Sequence, residues 1–121
     1  MNTSRYNEFC GRLPHTFYVV QWGGAHVWKV GGAKGKVFAI ASEEEGGALH
    51  VTFKCSQMSF DLLKEMAGVR PAPYLASRGM LWLQRTDARS LDDAALCDYI
   101  RESHRLAAAN LPKGVREKLK L

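Results

Sequence analysis

Between residues 27 and 55 three apolar runs, 27–30, 37–41 and 49–53, are rich in β-branched and aromatic residues and separated by turns containing glycine. That is the pattern of consecutive strands joined by hairpins. In the third run Leu49, Val51, Phe53 and Cys55 alternate with His50, Thr52 and Lys54, so one strand face is apolar and the other polar. An antiparallel sheet with one apolar face needs a cover. Residues 3–13 supply one candidate: Tyr6, Phe9, Cys10 and Leu13 fall on one helical stripe, Thr3 or Ser4 can cap it, and Pro14 ends it. The β-formers of 16–22 predict a first strand, which Gly23 and Gly24 turn into the meander.

Beyond the meander, Ser56 is placed to cap a helix over 57–67 with Phe60, Leu63, Met66 and Ala67 inward, and Gly68 suits a left-handed C-cap. Two prolines, Pro71 and Pro73, make 69–75 an extended segment at a sheet edge; 80–85 reads as a further strand. Ser90 is read as the cap of a long helix reaching about residue 109. Asp92 and Asp93 lie in its first turn, and Leu96, Tyr99, Ile100, Ser103, Leu106 and Ala107 form its inner stripe. Asp98–Arg101 and Glu102–Arg105 pair on the outside. Pro112 opens a short basic helix carrying Lys113, Arg116, Lys118 and Lys120. The expectation is one domain over 1–121, α+β, with a single mixed or antiparallel sheet under helices.

Composition changes this picture little. The 121 residues are 46% hydrophobic and 24% charged, which excludes a disordered chain. Seventeen Lys and Arg against twelve Asp and Glu give a net charge of +5, a modest bias toward polyanionic partners. Three widely spaced cysteines, Cys10, Cys55 and Cys97, offer no CxxC pair and read as buried thiols of a reducing compartment. The first nine residues lack the apolar core of a signal peptide, and no apolar run approaches the roughly 20 residues needed to cross a bilayer. A cytoplasmic protein without a membrane partner is expected.

Candidate chemistry is sparse. Gly31 to Lys36 has too short a glycine spacing for a phosphate-binding loop and precedes a strand, so it reads as a hairpin. The acidic tip Glu43-Glu44-Glu45 reads as a solvated turn. His15, His26, His50 and His104 have no metal-ligand spacing. His50 and Cys55 are an odd number of residues apart on one strand, so their side chains leave opposite faces. No catalytic residue, metal or cofactor is expected. A binding face is conceivable: alternation nominates Lys29, His50, Thr52 and Lys54, with Lys36 at a strand end and Arg70, Tyr74 and Arg78 on its border. Trp28, Tyr74 and Trp82 would add the aromatic rings that single-stranded nucleic acid stacks on. The plainer alternative buries the tryptophans in the core and leaves the lysines to solvate a sheet face.

The order of landmarks is itself informative. Leu13-Pro14 leads to Gln21-Trp22-Gly23-Gly24, then Val27-Trp28-Lys29-Val30-Gly31-Gly32 and Gly35-Lys36-Val37-Phe38-Ala39. Phe53-Lys54-Cys55, Val69-Arg70-Pro71-Ala72-Pro73-Tyr74-Leu75, Ser103-His104-Arg105-Leu106 and Leu111-Pro112-Lys113 follow. In this succession the chain resembles the MmcQ/YjbR family of small bacterial proteins over nearly its whole length. The resemblance implies a domain akin to type III secretion chaperones, with helices packed on one face of a five- or six-stranded, mainly antiparallel sheet. It also implies DNA binding. Two other readings stand beside that one: a protein-interaction module, including a homodimer through an apolar edge strand or sheet face, and a small-molecule binder with a pocket between sheet and helices.

Overall fold

The alternation of residues 49–55 does set the organising layer. A computed structural model of the chain describes residues 1–121 apart from Tyr74, Ala76 and Ser77. It contains strands β1 (Thr16–Gln21), β2 (Ala25–Val30), β3 (Lys36–Glu43), β4 (Leu49–Lys54), β5 (Val69–Pro71) and β6 (Trp82–Arg85). These form one six-stranded sheet in the order β1-β2-β3-β4-β6-β5, with every neighbouring pair antiparallel. Helices α1 (Thr3–Arg12) and α3 (Asp93–Ala108) cover one face, while α2 (Gln57–Leu63) links β4 to β5 and α4 (Lys113–Leu119) closes the described chain. The α+β class and the six-stranded antiparallel sheet are those expected.

Tyr6 and Cys10 of α1, Leu96, Ile100 and Ala107 of α3, and Phe38, Ala41, Val51, Phe53 and Leu83 of the sheet are buried in a single cluster. Phe53 stacks on Tyr99 with ring centroids 5.5 Å apart, and Phe38 meets His104 edge-on at 5.1 Å. The two thiols of this core are inert: burial pushes Cys55 up to about 11 and raises Cys10 further.

Several boundaries differ from expectation. Asn2, not Thr3 or Ser4, caps α1, its side chain accepting from the Arg5 amide at 2.9 Å. Asp92, not Ser90, caps α3 by accepting from the Ala95 amide at 2.9 Å. Asp and Ser cap about equally well, and the cap at Asp92 lets Leu91 bury its side chain just before the helix. Ser56 caps α2 as read from sequence, but the helix stops at Leu63. The next turn tightens, with the Met66 amide bonding to the Leu63 carbonyl, so Met66 and Ala67 leave the inner stripe and are exposed. Gly68 takes the expected left-handed conformation (φ +78) beyond that turn; there a Cβ would fall 2.2 Å from an Asp87 carboxylate oxygen.

The register of β2 on β3 shifts between Trp28 and Lys29, because Phe38 is an extra residue between Val37 and Ala39, the partners of Lys29 and Trp28. Opposite this bulge, α3 inserts Ser103. Its hydroxyl donates to the Phe38 carbonyl at 2.6 Å and accepts from the Lys54 amide at 2.8 Å.

Candidate functional site

The face turned away from α1 and α3 carries a register row that crosses all six strands: Val19, Val27, Ile40, Thr52, Gln84 and Arg70. Residues directly opposite one another share a face, so this row is the middle of the second surface. It is less polar than alternation predicts. Val27 is fully buried, and Ala25, Thr52, Ala72, Trp82 and Gln84 are nearly so. After β5, Ala72, Pro73, Leu75 and Arg78 join Trp22, Ala25, Ile40, Ser42, Thr52 and Gln84 around a cleft of about 540 Å³ on this face.

A hydrogen-bond chain runs along the floor. Nε and NH2 of Arg70 both donate to Oε1 of Gln84, at 2.9 and 2.6 Å, and Nε2 of Gln84 donates to Oγ1 of Thr52 at 3.2 Å. The two guanidinium bonds fix which end of the amide is the oxygen. Thr52 therefore spends an acceptor site on Gln84 and keeps its own proton. One Gln84 amide proton is likewise uncommitted in this chain of bonds. The buried floor offers donors.

The nominated residues divide. Lys29, Lys54 and Arg70 lie on this face by their pairing with Phe17, Trp82 and Gln84, and Arg78 lines the cleft. Lys29 and Lys54 stand at the same end of the sheet, two strands apart, or about 10 Å. Lys36 goes the other way: it is opposite Val30, which is buried on the helix side. Tyr74 lies outside the described residues. Trp28 is not on this face either. It pairs with Ala39, donates from Nε1 to the Asn7 side chain at 2.9 Å and packs on Gly11 of α1. Trp82 is on the face, opposite Lys54, but buried.

Sequence reading missed the aromatics that are accessible. Trp22 is 65% exposed and Phe17 40%. Trp22 sits at the rim of the cleft in the β1–β2 loop, where it, Gly23 and Gly24 all have positive φ (52, 78 and 98). A bulky residue in that region costs about 1–2 kcal/mol relative to glycine, and such strain concentrates at functional sites. The Gly-Gly pair marked the turn, but nothing local marked the ring beside it.

Electrostatically the two sides contrast. On the helices, the loops near them and the helix side of β6, Arg12, Arg85, Arg89, Arg101 and Arg105 each pair with a carboxylate. Among the described residues, Lys29, Lys54, Arg70 and Arg78 have no such partner, and the strands place no Asp or Glu on their face. His50 lies there too, with Nδ1 3.6 Å from Glu44 of the β3–β4 turn. Among the described residues, no three His, Cys, Asp or Glu side chains converge as metal ligands, and no helix is long and apolar enough to cross a membrane.

A family model described as YjbR matches residues 11–106. The fold is similar to a crystal structure of the Deinococcus radiodurans protein DR2400, described as carrying the domain DUF419. The TM-score is 0.84 at 19% identity, over 99% of this chain and 88% of that one. No curated protein matches the chain.

Proposed function

Since the chain belongs to the YjbR family, we propose that it is a non-catalytic module binding single-stranded nucleic acid on the sheet face opposite α1 and α3. The observation that carries this reading is the charge of that face. Its cations, Lys29, Lys54, Arg70 and Arg78, are free of carboxylate partners among the described residues, while exposed aromatic rings, Phe17 and Trp22, stand on its margin. Phosphates take the cations and bases take the rings. Neutralising three or four phosphates gives a slope of log K on log salt of about −2 to −3, at roughly −0.7 for each single-strand phosphate.

Fluorescence anisotropy of a labelled oligonucleotide over a salt series measures that slope. Lys29→Gln with Lys54→Gln should make it shallower by about 1.4, since two phosphate contacts are removed. Lys118→Gln with Lys120→Gln, on and beside α4, should leave it unchanged. No binding at a salt concentration of about 50 mM, where such contacts are strongest, defeats the reading.

A second reading, self-association, rests on a separate observation. β1 is a sheet edge with no charge and no proline between Thr16 and Gln21, and Phe17, Tyr18 and Val20 are 40, 38 and 51% exposed. Such an edge presents unpaired amides and carbonyls to another strand. Light scattering should then show a dimer that Val20→Lys converts to monomer; a monomeric parent chain at about 100 μM, well above a micromolar Kd, rejects this reading.

A further inference from the structure

We infer that the cleft beneath Trp22 is a base pocket, selective for a carbonyl-edged pyrimidine, thymine or uracil, of the strand bound on this face. The inference rests on the nucleic-acid reading above and adds to it what the site recognises. Three observations support it together. The walls are flat and apolar, formed by Ala25, Ile40, Ala72, Pro73 and Leu75, and the space of about 540 Å³ admits an aromatic ring with water around it.

The floor is polar, and in its buried part it has hydroxyl and amide protons that the Arg70–Gln84–Thr52 chain leaves uncommitted. Arg70 holds Oε1 of Gln84, so the Gln84 amide turns its nitrogen to Thr52, and the Thr52 hydroxyl must aim its proton elsewhere. Thr52 and Gln84 are 5% and 9% exposed, and both line the cleft. Donors buried this deeply favour a ligand edge built of acceptors and penalise one that leaves them unpaired. Thymine and uracil present two carbonyl oxygens, whereas adenine has none and sets an amino donor beside its ring-nitrogen acceptors.

The entrance matches a nucleotide rather than a free apolar molecule. Arg78 is exposed at the rim and Arg70 borders the floor, so the phosphates flanking an inserted base meet positive charge. Trp22, at the rim in a loop of three left-handed residues, offers a ring for the next base to stack on.

The test compares labelled oligo-dT and oligo-dA of equal length at one salt concentration, by anisotropy. The parent protein should bind oligo-dT about three- to tenfold more tightly, the worth of one or two hydrogen bonds. Thr52→Val, which keeps the shape and removes the hydroxyl, should abolish the preference, and Thr52→Ser should restore it. Trp22→Gly should weaken both oligonucleotides while leaving the melting temperature unchanged or higher, because glycine suits the left-handed position. Equal binding of the two oligonucleotides, or a preference that survives Thr52→Val, overturns the base pocket and leaves the phosphate-binding reading standing. Binding of neither overturns both.

Discussion

Replacing Ser103 by alanine is expected to destabilise the fold by about 2–4 kcal/mol, far more than a buried serine usually costs. The reason is the bulge at Phe38. The register of β3 on β4 ends at Ala39 opposite Phe53, so the next pair of backbone groups, the Phe38 carbonyl and the Lys54 amide, bonds through the Ser103 hydroxyl at 2.6 and 2.8 Å. Ser103 is fully buried, and alanine strands a donor and an acceptor together, each worth about 1–3 kcal/mol unpaired. Urea titration should show a lower midpoint at unchanged slope, and the Lys54 amide should exchange with solvent much faster. A loss below about 1 kcal/mol would mean that β3 and β4 close up without the hydroxyl. The consequence reaches the binding face, because Lys54 is one of its cations and its backbone position is set by that bond.

How much of this was legible in the sequence depends on the range of the interactions involved. The alternation of Leu49, Val51 and Phe53 with His50, Thr52 and Lys54 is local, and it gave both faces of β4 correctly. The cap at Ser56 and the inner stripe of α3 are local too. The bulge is not. A single extra residue at Phe38 exchanges the faces of the two residues before it. Val37 joins Lys29 while Lys36 joins Val30 on the helix side, and no counting along β3 reveals that. The side chosen by Trp28 depends likewise on its partner Ala39 and on Asn7. The cleft requires Ala72, Pro73, Leu75 and Arg78 to line one space with Ile40 and Thr52, and the Arg70–Gln84–Thr52 chain joins three strands far apart in sequence. The cations of the site could be nominated from sequence, but their convergence could not be established from it.

Asp93→Ala should cost about 2–3 kcal/mol, whereas Arg85→Met, which removes the other half of the same pair, should cost under about 1 kcal/mol. Arg85 is on the helix side of β6, its side chain 3% exposed. NH1 donates to the Leu91 carbonyl and to Asp93 Oδ1, each at 2.9 Å, and Nε has no partner among the described residues. Losing Asp93 leaves a guanidinium buried without its counter-charge, the expensive half of a broken ion pair. Losing Arg85 leaves a carboxylate that is 42% exposed and can be hydrated, and methionine fills the stem's volume while disposing of the orphaned Nε–H. The cost of Asp93→Ala lies below the usual range for buried pairs because of that same exposure.

The pH dependence follows from the same geometry. Asp93 titrates below its ordinary value, chiefly through its bond to the Met1 ammonium, and Arg85 lowers it further. A carboxylate depressed in the folded state stabilises the fold above its unfolded value, near 4, and that contribution is lost as pH falls through the folded one. The parent protein should therefore weaken progressively below about pH 4, and Asp93→Ala should weaken less steeply over the same interval. Urea midpoints measured from pH 6 down to about pH 3 read both quantities. Should Arg85→Met prove the more damaging substitution, the pair is held by packing and the Leu91 bond, and burial of an unpaired charge is not what governs this corner of the fold.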